Sequence, residues 1–124
     1  MIRVELAFRL PNSPGSFASL VSLLASEHVR LLALCIEASG TVRIVANNPE
    51  RALATLERQR VRVEQRSVIC SLIAARSVSS LLESIAEAGI NIDYAYMSST
   101  DSEGALMLVL GVDDAARASA AAGI

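Results

Sequence analysis

Lysine is absent: all eleven basic residues are arginine. Schiff-base chemistry and P-loop phosphate capture need a lysine amine, so neither is open to this chain. Histidine occurs once, at His28, which is too few for a metal cluster and too few to give any serine an acid–histidine partner order. No Gly-x-Ser-x-Gly elbow occurs. Tryptophan is missing and aromatics make up 3% of the residues against 52% apolar, so the core is aliphatic. The two cysteines, Cys35 and Cys70, sit far apart inside apolar runs, which excludes a CxxC redox pair. They leave two readings open, a single disulfide or two buried reduced thiols in a cytoplasmic protein. Thirteen acidic groups give a net charge of −2, the wrong sign for neutralising nucleic-acid phosphates or an anionic membrane surface. No apolar run approaches the ~20 residues of a membrane span. The N-terminal stretch Met-Ile-Arg-Val-Glu-Leu carries charges where a signal peptide needs an apolar core.

What is present is order. Val4, Leu6, Phe8 and Leu10 alternate with Arg3, Glu5 and Arg9, the pattern of a strand over residues 2–10 with one buried face. Asn12-Ser13-Pro14-Gly15-Ser16 is a turn cluster in which Ser16 is placed to cap a helix. Phe17, Leu20, Val21 and Leu24 follow at amphipathic-helix spacing, ending near His28. Residues 29–38 and 41–46 are β-rich and flank Ser39-Gly40, which predicts a hairpin. Asn48-Pro49-Glu50 supplies an N-cap, a first-turn proline and an early acid for a second helix, and Val61 and Val63 open a further strand. The first half therefore reads βαββαβ.

The same order recurs. A shift of 61 residues carries Phe17, Leu20, Val21 and Leu24 onto Val78, Leu81, Leu82 and Ile85, and Val29 and Leu31 onto Ile90 and Ile92. A longer hairpin loop, from Ser98 to Gly104, moves the later offset to 66, setting Asn48 and Arg51 against Asp114 and Arg117. Each half is then a split βαβ unit, with two helices on one face of a four-stranded antiparallel sheet. The predicted fold class is α+β, a ferredoxin-like βαββαβ repeated twice, with domains at residues 1–66 and 67–124.

Asn12-Ser13-Pro14-Gly15 before an amphipathic helix, together with Gly89-Ile90-Asn91-Ile92-Asp93-Tyr94-Ala95-Tyr96, resembles the ACT domain. The whole chain is similar to small free-standing proteins made of two ACT domains in tandem. That resemblance implies a non-catalytic regulatory protein binding a small ligand, usually an amino acid, where two ACT domains meet. It implies a ligand held by an Asn of the Asn-x-Pro-Gly loop in one domain and by an Asn at the start of the second strand in the other. Here the first half keeps only the loop residue, Asn12, with Arg30 at the strand position. The second half keeps only the strand residue, Asn91, with Ile73 at the loop position. One polar ligand site per chain is expected, built from Asn12, Ser13, Pro14, Gly15, Ser16, Asn91 and Ile92, with a second cleft at Arg30 and Arg76. The N–H groups at a helix start suit a carboxylate, and an asparagine amide suits both ends of a zwitterion. The competing account is that Asn12 makes an Asx-turn and Asn91 satisfies a backbone group.

In the second half Ala74-Ala75-Arg76-Ser77 replaces the Pro-Gly loop, which hinders close backbone approach to a ligand. Arg76 reads as an anion binder or a solvated surface group, and Arg30 as a carboxylate clamp or a rim salt bridge. His28 matches Gly89 in the repeat, the mark of a helix-end residue. Asp113-Asp114 reads as a helix cap. Tyr94 and Tyr96 point to one sheet face, where packing explains them better than RNA recognition does. No cofactor and no metal are expected. The chain stops at Gly123-Ile124, where a last strand would begin, so the strand over residues 67–73 is expected to lie at an open edge covered by a second copy, giving a homodimer. The alternative function is a subunit that associates with a separate amino-acid biosynthetic enzyme.

Overall fold

Alternation along the first strand decides which of its residues meet the helices. A computed structural model of the chain describes residues 1–99 and 104–124. In it β1 (Ile2–Arg9) turns Leu6 and Phe8 into the core, and α1 (Ser16–Ser26) brings Leu20 and Leu24 against them. The hairpin β2 (Leu31–Ile36) and β3 (Thr41–Ala46) adds Val42 and Ile44, and α2 (Pro49–Arg58) adds Ala52 and Leu56. β3 pairs antiparallel with both β1 and β2, in the order β2-β3-β1. The hairpin turn depends on Gly40: its φ of 92° lies in the left-handed region, and a Cβ there would stand 2.4 Å from the Leu10 carbonyl oxygen.

The chain divides into two compact units, Val4–Arg66 and a second formed by Ser67–Ile124 together with Met1–Arg3. In the second, β4 (Glu64–Ala74), which belongs to this unit from Ser67 onward, β5 (Ile92–Ser99) and β6 (Ala105–Val112) run in the order β4-β6-β5. The helices α3 (Val78–Glu87) and α4 (Ala115–Ala122) cover a core of Ile69, Leu81, Ile85, Leu108 and Leu110.

Four expectations are corrected. Val61 and Val63 do not form a strand; they lie half-buried against the first core, and the strand starts at Glu64 and runs unbroken to Ala74. Residues 1–3 go with the second unit, not with the first half of the sequence. The edge of β4 is met at Cys70 by the chain's own N-terminus, the Cys70 N–H donating to the Met1 carbonyl at 2.8 Å, so it is not simply open there. Ser16 is the first helical residue instead of the cap; Gly15, at φ 86°, holds that position, because the Pro14-Gly15 turn places its left-handed residue directly before the helix. The hairpin loop from Ser98 to Gly104 falls in part on residues 100–103, outside the described residues.

The helix boundaries show the same devices twice. Asn48 and Asp114 each accept from the backbone N–H three residues on, Arg51 and Arg117, at 3.0 Å. The Arg51 guanidinium then reaches the Glu27 carbonyl at 3.5 Å, and that of Arg117 reaches the Ala88 carbonyl at 2.7 Å, each the residue that ends the preceding helix. One residue beyond, His28 (φ 60°) and Gly89 (φ 74°) both turn left-handed, and the next N–H returns to Leu24 or Ile85. Glycine adopts this conformation freely, whereas an L side chain there costs on the order of 1 kcal/mol. His28→Gly is therefore expected to stabilise the protein by about 0.5–1 kcal/mol, read as a raised urea midpoint with an unchanged slope.

Candidate functional site

The loop after β1 is braced from within its own unit. The Asn12 side-chain N–H donates to the Ala38 carbonyl at 3.0 Å, tying the loop to the β2–β3 hairpin, while its Oδ1 makes no hydrogen bond among the described residues. Ser13 and Ser16 share a hydroxyl–hydroxyl bond of 2.7 Å, and the Ser16 N–H returns to the Ser13 carbonyl. Pro14 is exposed, and nothing lies within 4 Å of where a Gly15 Cβ would point. The start of α1 thus combines N–H groups that the helix itself leaves unpaired with an exposed amide oxygen.

Asn91 lies at the start of β5, exposed, its side-chain N–H donating to Asp93 Oδ1 at 3.0 Å. Ile92 beside it packs half-buried against the second core. Arg30 is exposed at the start of β2, where its backbone exchanges 2.9 Å hydrogen bonds with Asn47. Arg76 is exposed in a 3-10 turn, Ala75–Ser77, on the rim of an open cavity of about 580 Å³ with Leu72 and Gly104.

Strand register shows what each unit does not bring together. Asn12 sits at the Gly40–Thr41 end of β3, since Arg9 pairs with Thr41 and the Leu10 N–H donates to Gly40; Arg30 sits at the Asn47 end. Six residues of β3 separate these ends, about 20 Å at ~3.4 Å per residue. The second unit repeats the separation. Ala75 bonds to Gly104 at one end of β6, and Ile92 pairs with Val112 at the other. Within a single unit the loop and strand positions cannot contact one small ligand.

Other residues take clear roles. Both cysteines are free, which removes the disulfide reading; Cys70 is buried with its thiol 3.6 Å from the Met107 sulfur. Burial pushes the Cys35 thiol above its ordinary range, with Glu37 adding to the rise and Arg43 opposing it, so the thiol stays protonated at neutral pH. Tyr94 and Tyr96 stack with ring centroids 6.5 Å apart, on the face shared by Cys70 and Val109. The pair that sequence reasoning missed is Glu5 and Arg43. Glu5 is fully buried, and Arg43 Nη1 stands 3.3 Å from its Oε1. Among the described residues no three of His, Cys, Asp and Glu gather as metal ligands, and no helix is long and apolar enough to cross a membrane.

No family model matches the chain, and no curated protein matches it. Solved structures do. A protein from Bacteroides thetaiotaomicron is 21% identical with a TM-score of 0.85, over 98% of this chain and 86% of its own. The ligand-free regulatory subunit of aspartate kinase from Thermus thermophilus is 14% identical with a TM-score of 0.68, over 99% of this chain and 92% of its own. That from Thermus flavus is 14% identical with a TM-score of 0.65, over 98% and 90%. At such identities the likeness establishes the fold alone: the α+β arrangement is shared with these structures nearly end to end.

Proposed function

We propose that the chain is a non-catalytic regulatory protein of two ACT domains, residues 1–66 and 67–124, that binds a small molecule of the amino-acid class. Two supports are independent of each other: the fold is shared with regulatory subunits of aspartate kinase, and capping and helix-end devices recur at the offsets of the sequence repeat. The observation that carries the ligand reading is the exposed Asn12 Oδ1 beside the unobstructed Gly15 at the start of α1. There an ammonium is met by the amide oxygen and a carboxylate by the helix N–H groups. In this reading the ligand takes Asn12, Ser13, Pro14, Gly15 and Ser16 from one domain and Asn91 and Ile92 from another, in keeping with the separation of loop and strand positions within one unit. Cytoplasmic location and a homodimer accompany this reading.

Calorimetric titration with the common amino acids tests it. One of them is expected to bind, with Asn12→Ala and Asn91→Ala each weakening it about tenfold or more, the scale of a hydrogen bond to a charged group. Heat from none of them would sink the ligand site. Co-purification with an amino-acid biosynthetic enzyme, in the absence of any such heat, would favour the second reading, a subunit of that enzyme, which rests on the same shared fold.

A further inference from the structure

The face of the first unit's sheet turned away from its helices carries a cleft that the ligand loop does not use. Phe8, Val42 and Ile44 point into the core, so by strand alternation Ala7, Arg9, Thr41 and Arg43 point the other way. Register sets Ala7 against Arg43 and Arg9 against Thr41. Arg62, just before β4, and Glu64, its first residue, complete the rim of an open cleft of about 560 Å³, within the usual size of small-molecule sites.

Two of the arginines of this cleft, Arg62 and Arg9, keep donors to offer. Arg62 makes no hydrogen bond or ion pair among the described residues. Arg9 donates Nη2 to the Ser39 carbonyl at 2.8 Å, leaving the rest of its fork. Arg43 is anchored from below by Glu5 and keeps about a quarter of its side chain exposed. Three arginines line one small hollow in a chain whose net charge is −2, with the Glu64 carboxylate on the rim and that of Glu5 already paired with Arg43. Glu5 offsets the charge of Arg43, which leaves the planar forks of Arg9 and Arg62 to take carboxylates two oxygens at a time. Ala7 leaves the floor low enough for a ligand to lie across the strands.

We infer that this cleft binds a small dicarboxylate, one carboxylate against Arg62 and the other against Arg9 and Arg43. Titration with succinate at physiological ionic strength tests it, with acetate as the one-carboxylate probe. Succinate is expected to bind, Arg62→Gln and Arg9→Gln each to weaken it about tenfold or more, and acetate to bind at least tenfold more weakly. Arg60→Gln removes the same charge two residues from Arg62, outside the cleft, and leaves succinate affinity unchanged; both Arg60 and Arg62 are exposed, so folding is preserved. No heat from millimolar succinate overturns the inference. So does equal weakening by Arg60→Gln and Arg62→Gln, or acetate binding as tightly as succinate. Asn91→Ala, in the other unit, should not alter succinate binding, which separates this site from the proposed amino-acid site.

Discussion

Arg43→Met is expected to lower stability by about 3 kcal/mol, the low end of the range for breaking a buried ion pair. Glu5 has no accessible surface, although it sits on the strand face away from the helices, directly opposite Val45, which is equally buried. With Arg43 removed, a desolvated carboxylate loses a charged partner 3.3 Å away. The estimate stays at the low end for two reasons: Arg43 is partly exposed, and Glu5 has further partners in the fold. Replacing both residues by apolar ones, Glu5→Leu with Arg43→Met, removes the stranded charge and is expected to recover most of the loss. Urea unfolding of the four proteins gives the coupling directly. A loss below about 0.5 kcal/mol in Arg43→Met, or a double variant no better than the single, would show that the pair does not hold this face together.

Glu5 also shows what could not be read from the chain. Arg3, Glu5 and Arg9 alternate with apolar residues and look like the wet side of a strand. Alternation assigns residues to two faces; it carries no information about what covers the second face, and at Glu5 and Val45 that face is closed. The helices were legible because their signals are local. Asn48 caps α2 and Asp114 caps α4 as their sequences predict, and Pro49 lies in the first turn. The strand after α2 starts later than its local signal, because Val61 and Val63 are β-branched whereas Glu64-Gln65-Arg66 is not a strong β signal. The chain leaves α2 through Arg60 at φ 59°, and residues 61–63 are used to turn back onto the core before pairing begins.

The candidate sites divide the same way. Gly15 and Asn91 stand where the motif places them, at a helix start and a strand start, because both positions follow from short-range spacing. Arg9, Arg43 and Arg62 are separated by long stretches of chain, and each alone reads as a solvated surface arginine. Only the β1–β3 register and the path after α2 put them around one hollow. The bond from Cys70 to Met1 is of the same kind: a contact between chain segments some seventy residues apart leaves no local trace.

Gly111→Ala carries the second large effect, expected at about 2 kcal/mol of destabilisation. Gly111 is buried in β6 opposite Tyr94, at a φ that is not left-handed, so alanine is acceptable to the backbone. Loss of glycine's extra chain entropy would by itself favour alanine by roughly 0.5–1 kcal/mol. Space decides the sign instead. A Cβ at this position would stand 2.2 Å from Tyr94 Cζ and 2.4 Å from Cε1, so the ring lies flat across the glycine and fills the place of its missing side chain. All the obstructing atoms belong to the ring, and relief therefore requires Tyr94 to swing away, which also breaks its stack on Tyr96, worth about 0.5–1.5 kcal/mol beyond area burial. Tyr94→Ala removes the obstacle, so Gly111→Ala made in that background is expected to be neutral or slightly stabilising, with a coupling of about 2–3 kcal/mol between the two positions. Urea unfolding of the cycle measures that coupling, and near-UV circular dichroism should show the tyrosine signal altered in Gly111→Ala alone. Equal destabilisation by Gly111→Ala with and without the Tyr94 ring would mean that the cost arises elsewhere in β6.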